Sequence, residues 1–348
     1  MKIGIFLEEM RQGLTQREAF DDALRTADAA EASGLDGIWL GEMHCTPDRS
    51  VLSAPLLVAT AIAARTRRLR VGTAVHLLPL NNPLRIAEEV ATLDQLSEGR
   101  FEFGIGRSGS PRAYNAYGVP YEESQARFFE ALDIIRAAWK GEPFSYDGTF
   151  HSVANTTVAP RPYQQPHPPM RIAALSEETF AVVARLGLQL FVGLRQSDIG
   201  ELAIQLRTYR SAWKAAGHPG QGSVYLRIPL YAAPTERAAR EEARETITYY
   251  FKRQAEFAMA GAGQAGTGPI ERKQAKAAEL RAMTYEHILE HRVAFGSSAG
   301  LVERLMRLRD EMHLDGIVVE MNPGGLLPAG REARSLRILA DEVMPALA

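Results

Sequence analysis

A single cysteine, Cys45, is all that this 348-residue chain carries, which excludes an internal disulfide framework and any thiolate-rich metal site. No apolar run reaches the ~18–20 residues of a membrane span. Neither sign of charge is in excess: 40 Lys and Arg against 42 Asp and Glu leave a formal −2. Nothing therefore points to a polyanion or to a polybasic membrane surface. Met1-Lys2-Ile3 runs directly into an apolar strand pattern, without the anatomy of a secretory signal. What is present is 46% apolar and 24% charged residues, the composition of an ordinary globular protein. The expectation is a cytoplasmic enzyme.

The most informative stretch is Leu69–Gly109. Two short apolar runs, Leu69–Val75 and Phe101–Ile105, flank a helical pattern from Leu84 to Leu96. Strand, crossover helix and strand of this length make a right-handed unit with parallel strands. Each run ends in small residues, where a flat ligand could approach the backbone, and such sheets gather ligand chemistry at the carboxyl ends of their strands. Further strand-like runs are Ile3–Leu7, Gly37–Leu40, Arg171–Ala174, Gln189–Val192, Val224–Ala232 and Gly316–Met321, with helical patterns between them. Thr15 with Glu18 reads as a capping box opening the first helix.

Eight such alternations predict an α/β fold, one (β/α)8 TIM barrel domain over residues 1–348, with a doubly wound open sheet as the alternative. An irregular Gly141–Pro169 insert follows the fourth unit. It carries two β-like pieces, Phe144–Tyr146 and Thr149–Val153, around an Asp147-Gly148 turn. The Gly-rich run Gly261–Pro269 and the polar helix Glu271–Met283 read as a mobile lid near residues 261–285. The helix Ser53–Ala64 carries no charge, and a helix apolar on every side is buried on every side. With Leu84–Leu96 beside it, it is expected to form a homodimer face.

Gly104-x-Gly106-x-x-Gly109 formally matches a dinucleotide fingerprint, but Pro111 and the irregular RAYNAYGVPY follow it rather than a helix. The same glycines suit backbone approach to a flat ring, and Arg107 suits a phosphate. His44 and His76 lie just beyond the second and third strands, where an imidazole suits proton transfer. Either is alternatively a loop histidine with a backbone hydrogen bond. Cys45 reads as a passive pocket residue. Leu175-Ser176-Glu177-Glu178-Thr179 opens a helix; its amides and hydroxyls serve as a simple cap, as a phosphate cradle, or as both. Glu8 and Glu9 follow a strand on opposite faces, so at most one points inward. Glu88 and Glu89 read as a solvated helix face. His287 and His291 stand at i and i+4, but His-Ile-Leu-Glu-His lacks a zincin-type base, and no metal is expected.

The blocks KIGIFLEE, GLDGIWLGEMH, LRVGTAVHLLPLNNPLRIAEEVATLDQLSEGRFEFGIGR, RIAALSEETFAVVARLG and DGIVVEMN, in this order and spacing, resemble the bacterial luciferase-like flavin-dependent monooxygenases over nearly the whole chain. That resemblance implies a (β/α)8 barrel that takes reduced FMN (FMNH2) from a separate flavin reductase. The reduced flavin reacts with O2 through a C4a-peroxyflavin and oxygenates a small apolar molecule, such as a carbonyl compound. By the same resemblance His44 matches the catalytic histidine, and Ala74-Val75 the non-prolyl cis peptide under the flavin ring. Arg107, Ser176, Thr179 and the Leu175 amide match the phosphate cradle. Three residues depart from the luciferase pattern. Gly106 replaces a reactive cysteine, Phe191–Leu194 lacks a tryptophan, and Cys45 replaces an aromatic. A non-luminescent relative is expected. A deazaflavin-dependent reductase or dehydrogenase of the same superfamily, and a non-catalytic flavin-binding barrel, are the alternatives.

Overall fold

The computed structural model describes residues 1–174, 177–194, 197–266 and 268–347. Its strands are, in chain order, β1 (Lys2–Leu7), β2 (Gly37–Leu40), β3 (Arg70–Thr73), β4 (His76–Leu77), β5 (Phe101–Gly106) and β6 (Phe144–Asp147). They continue as β7 (Ser152–Thr156), β8 (Met170–Ala173), β9 (Gln189–Gly193), β10 (Val224–Ala232), β11 (Ala294–Gly296) and β12 (Gly316–Glu320). Eight of them pair in parallel in the order β1-β2-β3-β5-β8-β9-β10-β12, and β12 returns to β1 through Lys2 opposite Gly316. The sheet is a closed barrel, as the alternation predicts.

The helices are α1 (Gln16–Ala32), α2 (Pro55–Arg65), α3 (Pro83–Leu96), α4 (Pro111–Tyr117), α5 (Ser124–Ala138) and α6 (Glu177–Arg185). After them come α7 (Ile199–Ala215), α8 (Glu236–Ala258), α9 (Ile270–Ala282), α10 (Tyr285–His291), α11 (Ser298–Met312) and α12 (Ala329–Ile338). Local chemistry sets their starts. The Thr15–Glu18 capping box opens α1. Asn82 accepts from the amide of Leu84 at 2.9 Å, with Pro83 as the first helical residue of α3.

Strand alternation sorts the core into two layers. Ile3, Ile5, Ile38, Leu40 and Val71 pack outward against the helices, while Phe6, Trp39, Phe191, Tyr225 and Val318 fill the barrel interior. The Trp39 indole occupies the interior because its neighbours have no side chains. A Cβ on Gly4, Gly37 or Gly72 would lie 2.2, 2.7 or 2.5 Å from that ring. Glu102 sits in the same layer, 2.7 Å from Arg70 and 3.4 Å from Arg171, and the Arg171 guanidinium lies 3.5 Å over the Tyr225 ring.

Several sequence expectations need correction. The hairpin turns at Asp147-Gly148, but β7 begins at Ser152, not Thr149. The Glu130 carboxylate takes the amides of Thr149 and Phe150 at 2.7 and 2.9 Å, so those groups cannot join the ladder. The segment after Gly109 is helical: the Ser110 hydroxyl caps α4, and Pro111 fits the first turn, where no amide is needed. In place of a wholly loose lid, α9 packs on α8, burying Ala277 and Leu280. Leu280 joins a cluster with Ile247, Tyr250, Phe251 and Ile288. Helix α2 is buried on one face only, through Leu56, Ala59, Ile62 and Ala63; Leu57 is 73% exposed. Among the described residues no helix is long and apolar enough to cross a membrane.

Candidate functional site

Four neighbouring strands deliver the candidate residues to one end of the barrel. Glu42 and His44 follow β2, Ala74-Val75 follows β3, Gly106-Arg107 ends β5, and Thr179 lies in the first turn of α6 after β8. Register holds them side by side: Leu40 is opposite Thr73, His76 opposite Ile105, and Ile105 opposite Ile172. The Ala74–Val75 peptide is cis. A Cβ on Gly106 would stand 2.4 Å from a Val75 methyl, so this strand end admits only glycine without displacing Val75. Leu175 and Ser176 lie outside the described residues.

His44 is a member of a buried cluster. Its Nε2–H donates to Glu42 Oε1 at 2.7 Å, and Nδ1 of His76 lies 2.5 Å from Glu42 Oε2. The Leu77 amide donates to the same Oε2 at 3.1 Å. Burial would raise the Glu42 carboxyl, but the two imidazoles outweigh it and hold the group at about 2. Glu42 therefore stays an acceptor, which leaves Nδ1 of His44 to accept from the Tyr117 hydroxyl at 3.3 Å. The His44 side chain is 8% exposed and Tyr117 is 52% exposed, so the phenol stands between the imidazole and solvent.

Arg107 is exposed at the mouth, and its Nη1 donates to Ser124 Oγ at 3.0 Å and to Tyr121 Oη at 3.4 Å. No carboxylate among the described residues pairs with it. Its carbonyl accepts from Tyr114, whose hydroxyl is pushed up by burial. The result is a positioned cation with neutral partners, which suits an anion.

Next to these strand ends lies a cavity whose empty space, its open mouth included, is about 690 Å³. Ala74, Ala173, Ala174 and Gly193 give it small walls; Phe6, Phe191, Tyr250 and Phe251 give it aromatic ones. Its polar lining is Arg227, Glu320 and Arg292. Arg227 holds Glu320 through two bonds of 2.7 and 2.8 Å and lies 3.6 Å over the Phe6 ring. Glu8 lies 3.3 Å from Arg227 and 3.2 Å from Arg49, and Glu9 2.7 Å from Arg49. Both carboxylates thus turn toward one buried arginine, Arg49, and Glu8 alone of the two also reaches Arg227.

The structure brings Ala74 to the cavity wall and sets Val75, Gly106 and Arg107 beside it, while His44 stands one strand away and is not part of the lining. Cys45 is exposed. Glu88 and Glu89 form surface pairs with Arg85. The His287 and His291 rings lie 4.6 Å apart, and among the described residues no group of three or more His, Cys, Asp or Glu is arranged for a metal ion. Sequence reasoning missed Glu42, Tyr117, Ser124, Arg227, Glu320 and Arg292. Glu42 alone had a local signal, two residues before His44 in Glu-Met-His.

Comparison with known proteins now decides the family. The family model described as luciferase-like monooxygenase matches residues 1–313. The chain belongs to this luciferase-like family. The oxygenase component of flavin-dependent trigonelline monooxygenase from Acinetobacter baylyi is 25% identical over 99% of this chain and 95% of that one. Among solved structures, the oxygenating constituent of 3,6-diketocamphane monooxygenase from Pseudomonas putida is a type II Baeyer-Villiger enzyme in complex with FMN. It superposes with a TM-score of 0.83 at 22% identity over 100% and 99% of the two chains. An F420-dependent secondary alcohol dehydrogenase shares the fold at 0.79 and 16% identity, over 100% and 99%. The match spans about half the length of the first curated relatives, 52% and 55%.

Proposed function

We propose that this luciferase-like protein is a monooxygenase that uses reduced FMN and O2, with the flavin supplied by a separate reductase, to oxygenate a small, mainly apolar carbonyl compound without light emission. One observation carries the reading. Arg107, paired among the described residues with hydroxyls alone, stands at the strand end beside a cis Ala74–Val75 peptide and an aromatic-walled cavity. The described residues fit FMN: Arg107 with Ser124 and Tyr121 would hold its phosphate, and the family resemblance adds Thr179, Ser176 and the Leu175 amide, the last two outside the described residues. Ala74, Val75 and Gly106 leave room for the ring. When bound, reduced FMN supplies the electrons that activate oxygen. The aromatic walls, Tyr250 and Phe251 of α8 among them, keep water from the reaction. The imidazole of His44, oriented by Glu42, holds or releases a proton at Nδ1.

The test is oxygen uptake with enzymatically reduced FMN against a panel of apolar carbonyl compounds, run beside a reduced deazaflavin. Oxygen-dependent product with FMN supports the reading. Hydride transfer from the deazaflavin without oxygen assigns the other branch, and flavin binding without turnover on any compound assigns a binding barrel. Arg107→Ala should weaken FMN binding by about 1.5–3 kcal/mol, read by fluorescence titration. His44→Ala should lower turnover ~10²–10⁴-fold with FMN affinity nearly intact.

A further inference from the structure

The imidazole of His44 has one nitrogen committed and one open to exchange. Its Nε2–H is held by Glu42 Oε1 at 2.7 Å, and the other oxygen of that carboxylate is taken by His76 and the Leu77 amide. Glu42 stays ionised and keeps the Nε2 proton in place, so proton traffic falls to Nδ1. Nδ1 accepts from the Tyr117 hydroxyl at 3.3 Å, and the two rings meet edge to face with centroids 5.1 Å apart. The imidazole is buried, while Tyr117 is half exposed. Two separate ties fix the helix that carries the phenol. Arg112 Nη1 of α4 donates to the Cys45 carbonyl at 3.1 Å, next to His44. Asn115 and Gln264 exchange two amide hydrogen bonds of 3.3 and 2.7 Å on another side of α4. Among the described residues no donor reaches the Tyr117 hydroxyl oxygen, which leaves its lone pairs to water. A hydroxyl both donates and accepts, so it can hand one proton inward while taking another from outside, without ionising.

We propose that Tyr117 is the proton relay of His44. The Oη–H bond breaks as the Nδ1–H bond forms, and Oη regains a proton from water or a buffer acid. The phenol ends as it began, the imidazole carries the charge, and the reverse sequence discharges it. The ionised Glu42 beneath the ring stabilises the cation; Glu42, His76 and Tyr117 are the titratable groups of this cluster. Tyr117 acts through His44 rather than on the reactants, and the inference rests on His44 being the proton holder proposed above.

Tyr117→Phe keeps the ring and removes the relay. In the FMN-free protein the Nδ1 resonance of His44, assigned with His44→Gln, is followed by NMR through its titration with 4-methylimidazole as buffer. The unsubstituted protein should show one averaged line at any buffer concentration. The variant should broaden it in dilute buffer and recover it as buffer is added. When protein loaded with reduced FMN is mixed with oxygenated dilute buffer, flavin reoxidation in the variant should slow at least about tenfold. Added 4-methylimidazole should restore that rate, with FMN affinity and melting temperature kept. The inference is overturned if line or rate is the same in both proteins, or if added buffer fails to restore the variant, which would assign Tyr117 to packing. A slowed His44→Ala beside a normal Tyr117→Phe overturns the relay alone; a normal His44→Ala overturns the proton role of His44 as well. Failure of FMN to bind sinks the monooxygenase reading, while the NMR comparison still decides this one. Should Tyr117→Phe fail to fold, a His44 line in the unsubstituted protein that sharpens with added buffer overturns the relay.

Discussion

Glu42 shows how one carboxylate can organise a site. Two imidazoles and a backbone amide converge on its two oxygens, and the group sits at about 2 against an ordinary value near 4.5. A depressed carboxyl contributes stability that is fully present above its unfolded value and is lost as pH falls toward its folded one. The protein should accordingly lose about 3 kcal/mol between pH ~5 and ~2 from this group. Glu42→Gln should flatten that acid limb in urea melts taken across the range. The same substitution frees His44 to turn, so it should also shift the pH profile of turnover. At Gly106, an added methyl meets Val75 at 2.4 Å. Gly106→Ala should cost about 1–3 kcal/mol of stability and weaken FMN binding together, measured by thermal unfolding and by titration. None of these distances was legible beforehand. His44, Ala74 and Arg107 stood out because they close apolar runs or match family blocks. Glu42 lay in plain view, but its link to His76 depends on two strand ends meeting. Arg227 and Glu8 are 219 positions apart, and nothing in either neighbourhood announces the pair.

Elements follow the same division. The eight barrel strands were readable because their apolar runs are short, regular and bounded by turn residues. Helix α4 was hidden by its own composition: Tyr114, Asn115 and Tyr117 are weak helix formers, and a Ser110 cap with Pro111 opens only two turns. Helix α9 was readable as a helix but not as a packed one, since only Ala277 and Leu280 of its thirteen residues are buried. Those contacts seat α9 against α8, whose Tyr250 and Phe251 line the cavity. Leu280→Ala should remove about 2–4 kcal/mol of local packing. Hydrogen exchange is expected to speed up in α9 and α10 while the barrel strands stay protected. Should the strands lose protection equally, the cover and the barrel unfold as one unit.

For the whole molecule, the outer face of α2 is the conspicuous surface. Leu57 at 73% and Leu96 at 61% exposure lie on the two helices that the sequence assigns to a homodimer face. We propose that these two leucines belong to an association surface. We expect a dimer in sedimentation at micromolar concentration, and Leu57→Glu to shift it toward monomer with the fold retained. A stable monomer of the unsubstituted chain would remove the claim.

The indole seated among Gly4, Gly37 and Gly72 has its own consequence for traffic. With Phe6, Phe191, Tyr225 and Val318 it fills the interior of the sheet ring, so a molecule taken into the cavity is expected to come and go on the side of the carboxyl strand ends. We expect a ligand seated deepest to bind before one seated above it, an order that rapid mixing in either sequence would check.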